Sequence, residues 1–159
     1  MGDFHNRLRL VLASAVIVLV TSVSATASGT LVSYLPKTGL EQFIADNFDI
    51  ASIRSSLGPR RQPGQVHFSD LGIRPTAIGA GKIHFESKGW HYDITILQRS
   101  DMNGDGIEDV AVCFVDDGHD AGGTYYTAKP LLLTRYSKNG PLIAISYEPD
   151  DKRCQAKPR

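Results

Sequence analysis

Cysteine is scarce in this chain, with two in 159 residues, and neither sign of charge dominates: 17 lysines and arginines balance 17 aspartates and glutamates. Neutrality argues against a general nucleic-acid binder, because holding phosphates takes concentrated Lys and Arg. No unit recurs at a period of about 20–50 residues, which argues against solenoids and multi-bladed propellers. There is no N-x-[ST] acceptor for N-glycosylation. The longest apolar run, Leu10–Val20, is about half the roughly 20 residues that a membrane-spanning helix needs. The G-x-S-x-G and H-E-x-x-H signatures are missing, and Gly79-Ala80-Gly81-Lys82 lacks the flanking residues of a phosphate loop.

What is present begins with an address. Arg7 and Arg9 precede the apolar run, and small polar residues then lead to Ala25-Thr26-Ala27. A basic start, a short apolar core and an A-x-A ending form a secretory signal peptide, with cleavage expected after Ala27. The remainder, residues 28–159, is expected to be a single periplasmic or secreted domain, monomeric and without a membrane span. Both cysteines, Cys113 and Cys154, fall in that exported part. An even count in an oxidising compartment suggests one disulfide tying a core strand to the C-terminal tail.

Thr38-Gly39-Leu40-Glu41 has the form of a capping box, and Leu40, Phe43, Ile44 and Phe48 recur at helical spacing, which predicts a helix over 39–47. Asp49 can cap a further turn or two, which Gly58-Pro59 would stop. In the basic turn that follows, Arg60-Arg61 reads as solvated surface or a partner contact. The period then changes to two. Strands are expected over Gln65–Asp70, Lys82–Glu86, Trp90–Gln98, Val110–Asp116, Thr124–Arg135 and Leu142–Tyr147, with a hairpin turn at Ser137–Pro141. Short connections favour an antiparallel meander. The fold class read from this is α+β: an N-terminal amphipathic helix or helix pair packed on an antiparallel sheet of about five or six strands.

One motif carries chemistry. Asp101-Met102-Asn103-Gly104-Asp105-Gly106-Ile107-Glu108-Asp109 has the form D-x-N-x-D-G-x-x-D. Side-chain oxygens of Asp101, Asn103 and Asp105 can turn inward around one hard cation. Gly106 permits the reversal that brings in the Ile107 carbonyl, and Asp109 closes the shell. An all-oxygen shell of flexible geometry suits Ca²⁺. Val112 stands where an EF-hand has its bidentate Glu, and VAVCFV after the loop reads as a strand, so this is a loop between strands. The stretch Ile96–Val112 resembles the calcium hairpin of FG-GAP/VCBS-type repeats. That resemblance implies Ca²⁺ held by Asp101, Asn103, Asp105, the Ile107 carbonyl and Asp109.

Other candidates are weaker. His67, His84, His91 and His119 show no metal-ligand spacing and read as satisfied or surface residues. Asp116-Asp117-Gly118-His119-Asp120 could supply acid–base groups to a calcium-assisted hydrolase. Trp90, Tyr92, Tyr125, Tyr126, Tyr136 and Tyr147 could build a face for a protein or glycan partner, or could serve packing alone. The function expected is that of an exported calcium-binding protein acting as a binding or accessory factor, without catalysis. A periplasmic inhibitor or immunity-type protein with incidental calcium is the alternative, beside the hydrolase.

Overall fold

The computed structural model describes residues 30–145 and 151–155. The leader expected over 1–27 and the end of the strand expected at Leu142–Tyr147 lie outside the described residues. The first helix, α1 (Leu40–Asn47), buries Leu40, Ile44 and Ala45, as its apolar spacing requires. It begins from Gly39 in a left-handed conformation, not from a Thr38 cap, and Glu41 accepts a hydrogen bond from the Gly81 N–H at 3.1 Å. Helix ends there. Phe48–Asp49 (β1) is extended, and the Asp49 carboxylate caps a single 3₁₀ turn, Ile50–Ser52, by accepting from the Ala51 N–H.

Six longer strands follow: β2 (Pro75–Gly79), β3 (Lys82–Ser87), β4 (Trp90–Ser100), β5 (Asp109–Asp117), β6 (Tyr126–Thr134) and β7 (Leu142–Ile145). Strands β2 to β7 form an antiparallel meander, and β1 joins its far edge parallel to β7, giving the order β1-β7-β6-β5-β4-β3-β2. The expected fold class is therefore corrected. Among the described residues the chain is mostly a curled, seven-stranded mixed sheet, a half-barrel with one α-helix, and not a helix or helix pair laid on five or six antiparallel strands.

Three local causes account for the difference. The segment 65–70 is not a strand, because the Asp70 carboxylate accepts the N–H groups of Val66 and His67 and winds Phe68–Leu71 into a 3₁₀ turn. Strand β2 lacks alternation, opens on a proline and is largely exposed, as befits an edge. Strand β1 has two residues, too few for a period of two to show.

The core lies inside the curl. Ile83 and Phe85 of β3, Tyr92 and Ile94 of β4, and Val110, Val112 and Phe114 of β5 meet Ile44, Phe48 and Phe68 there. Phe68 stacks on Phe85 with ring centroids 4.1 Å apart. Each such side chain, fully buried, contributes about 1.5–3 kcal/mol. Strand β5 is buried on both faces for most of its length. Its outer side is covered in part by the tail, through the Cys113–Cys154 disulfide and the Arg153 guanidinium, which donates to the Leu97 carbonyl at 3.0 Å. The expected disulfide is thus present.

The β3–β4 connection is the two-residue turn Lys88-Gly89, both left-handed, a geometry matched to strand twist. Gly89 is required twice over. Its φ is +78°, and a Cβ there would lie 2.7 Å from the backbone of Asp120.

Candidate functional site

The motif loop joins β4 to β5, directly beyond the Ser100–Asp109 pair of the ladder. Its acids fold the backbone around themselves. Asp101 accepts from the N–H groups of Gly104 (2.7 Å) and Asp105 (3.1 Å) through Oδ1 and of Gly106 (2.9 Å) through Oδ2. Asn103 accepts from the Asp105 N–H at 3.0 Å and donates to Asp105 Oδ2 at 2.9 Å. Asp105 Oδ1 accepts from the Ile107 N–H at 2.8 Å. Gly106, at φ +83°, makes the reversal that a side chain would strain.

Asp109 differs from the others. It is 0% exposed; Oδ2 accepts from the Met102 N–H at 3.1 Å, and Oδ1 is buried without a partner. A buried carboxylate oxygen left without a donor is costly, and a cation is one of the few groups that satisfies it. The oxygen-only donor set of Asp101, Asn103, Asp105, Ile107 and Asp109 has the chemistry a hard divalent ion takes. The three aspartates are not drawn together as a cluster with all ligand oxygens within 4.8 Å.

The loop also fixes the start of the described chain. Val32 pairs parallel with Ile107, donating to the Gly106 carbonyl at 2.9 Å and accepting from the Glu108 N–H at 2.7 Å. Arg99 grips Glu108 through two nitrogens (3.1 and 2.8 Å) and donates to the Pro36 carbonyl at 3.1 Å. Hydrogen bonding from Arg99 holds the Glu108 carboxyl below its usual range, against the opposing effect of its burial.

At the other end of β5, about 26 Å away at the rise of an extended strand, the concave face opens into a cleft of about 710 Å³. Trp90 and Tyr125 form its aromatic wall, with ring centroids 5.7 Å apart, and Arg60 and Lys88 also line it. Asp116 lies in the cleft lining at 1% exposure. Its Oδ2 accepts from the Gly58 N–H at 2.7 Å, while Oδ1 is buried without a partner. Burial pushes the Asp116 carboxyl up, and burial, aided by the charge of Asp116, pushes the Tyr92 hydroxyl up to about 12. Of the expected surface pair, Arg60 faces the cleft, whereas Arg61 turns inward to the carbonyls of Leu57 (3.0 Å), Ile53 (3.3 Å) and Arg54 (3.2 Å) and pins the cleft's loop.

The 116–120 segment divides between the two faces of the sheet. Asp116 belongs to the cleft, and Asp117 points to the outer face, where its Oδ1 meets His119 Nδ1 at 2.5 Å. His119 is thus paired with Asp117, and both stand at the opposite end of β5 from the motif loop. The remaining histidines are ordered as well. His67 lies 3.5 Å from Asp70, His84 Nδ1 2.6 Å from Asp93, and His91 Nε2 2.7 Å from Asp120. His84 and His91 stack across the β3–β4 hairpin, with Glu86 beside them. Reading the histidines singly passed over this group. Its signal is the alternation H-x-E and H-x-D on either side of Lys88-Gly89, which puts four polar side chains on one face.

Comparisons with protein-family models, with curated proteins and with solved structures find no match to this chain.

Proposed function

We propose that this is an exported calcium-binding protein in which Ca²⁺ at Asp101, Asn103, Asp105, the Ile107 carbonyl and Asp109 locks the β4–β5 hairpin to the segment 32–36, and in which the Trp90–Tyr125 cleft is the face that meets a partner. The single observation that carries the reading is the unpartnered, fully buried Oδ1 of Asp109. A carboxylate sunk at the base of a loop of acids and Asn oxygens calls for positive charge, and the described residues supply none to it. The likeness of residues 96–112 to an FG-GAP/VCBS-type hairpin supports the same ligands. The disulfide is compatible with an oxidising compartment. The distance between the motif loop and His119 weighs against a hydrolase that would use both.

The test is thermal unfolding with Ca²⁺, with Mg²⁺ and with EDTA, on the parent, Asp105→Ala and Asp109→Asn. At 100-fold saturation the bound ion stabilises the parent by about 2.7 kcal/mol. A rise in Tm specific to Ca²⁺ and lost in both variants is expected. Identical curves for the parent in all three buffers would overturn the reading.

A further inference from the structure

The outer face of the β3–β4 hairpin carries a second constellation of different chemistry. We propose that His84, Glu86 and His91 form a three-ligand site for a divalent transition-metal ion of the Zn²⁺ class, with its remaining coordination open to solvent. The register builds it. Glu86 stands opposite His91 and His84 opposite Asp93, and two-residue spacing along each strand keeps all four on one face. One ligand atom from each of His84, Glu86 and His91 lies within 4.8 Å of the other two. A tetrahedral ion with bonds of about 2.1 Å sets its ligand atoms about 3.4 Å apart, so these partly exposed side chains must draw together to hold it.

The hydrogen bonds around the two rings supply the independent argument. Asp93 Oδ1 lies 2.6 Å from His84 Nδ1, and Asp120 Oδ2 lies 2.7 Å from His91 Nε2. Each carboxylate takes one ring N–H, which leaves the lone pairs on His84 Nε2 and His91 Nδ1. A carboxylate behind each histidine fixes its tautomer and ring orientation, the arrangement that supports metal-binding imidazoles. Asp120 is itself held in place, because its backbone packs on Gly89 of the hairpin turn. Two imidazoles and one carboxylate suit Zn²⁺, Co²⁺, Ni²⁺ or Cu²⁺, whereas Ca²⁺ and Mg²⁺ prefer oxygen alone. Three protein ligands leave a position for water or an incoming group, as open zinc sites do. The site stands at the opposite end of β4 from the 101–109 loop, about 30 Å away along the strand.

The test is calorimetric titration of the metal-free protein with ZnCl₂, together with the visible spectrum on adding Co²⁺. One Zn²⁺ per chain is expected, lost in His84→Gln and His91→Gln and weakened about tenfold or more in Asp93→Asn. His119→Gln and Asp105→Ala are expected to bind as the parent does, the latter separating this site from the calcium loop. On the unaltered protein, Zn²⁺ is expected to shield His84 and His91 from imidazole-modifying reagent, read by peptide mass. Absence of Zn²⁺ binding, unchanged affinity in both histidine variants, or shielding that falls on His67 or His119 in their place would overturn the proposal.

Discussion

Two aspartates at the ends of β5 are satisfied on one oxygen and bare on the other, and they answer to different physics. Asp109 sits among acids, so its bare oxygen points to a cation. Asp116 sits among rings and backbone, where desolvation favours the protonated form. Because burial raises its folded-state pKa above the unfolded value, the stability Asp116 contributes is fully present in acid, below the ordinary carboxylate range. It is lost as pH rises through the folded value. Asp116→Asn removes that dependence, so the variant's Tm, relative to the parent's, is expected to climb as pH rises above the ordinary carboxylate range. A constant offset would show that Asp116 is not held protonated by the fold. Asp109 was legible in the sequence because its motif fixes both residue type and spacing. Asp116 was not, since a period of two in VAVCFVDD cannot say which of two adjacent aspartates faces the core.

At the level of elements, the β3–β4 hairpin carries the most information. Strict alternation marked both strands, and the structure extends them by one or two residues at an end. What could not be read was their pairing. The cluster of His84, Glu86 and His91 exists only once the Lys88-Gly89 turn sets Glu86 opposite His91. Gly89→Ala tests the turn. A left-handed alanine costs about 1 kcal/mol, and the contact at 2.7 Å with Asp120 must also be relieved. The loss is expected to exceed that seen for Gly104→Ala, whose left-handed φ is similar but whose Cβ meets nothing within 4 Å. Equal losses by chemical denaturation would mean that the 118–121 turn moves freely. Strand β2 and the 3₁₀ turn at Phe68–Leu71 escaped a pattern search for the opposite reason: their form is set by a partner strand and by one carboxylate, not by their own periodicity.

Over the whole molecule, the disulfide joins positions 41 residues apart. Closing a loop of that length restricts the unfolded chain by about 4 kcal/mol in the chain-entropy account. Cys113→Ala/Cys154→Ala is expected to lose about that much in urea unfolding and to uncover the outer face of β5. A loss under about 1 kcal/mol would show that the tail holds itself in place. The pairing was foreseeable from an even count of two, whereas the curl of the sheet was not.

The parallel pair of β1 and β7 carries a consequence for how the chain reaches this shape. Phe48 finds its partner at Leu142, 94 positions later in a 159-residue chain. Local hairpins can zip within microseconds, but this closure must bring together two strands separated in the chain by all of β2 to β6 and is entropically slow. A chain in which β7 has not yet paired therefore leaves β6 with an open edge. The sheet gains its β1 edge only once Leu142–Ile145 is available to pair with β6 on one side and with Phe48–Asp49 on the other.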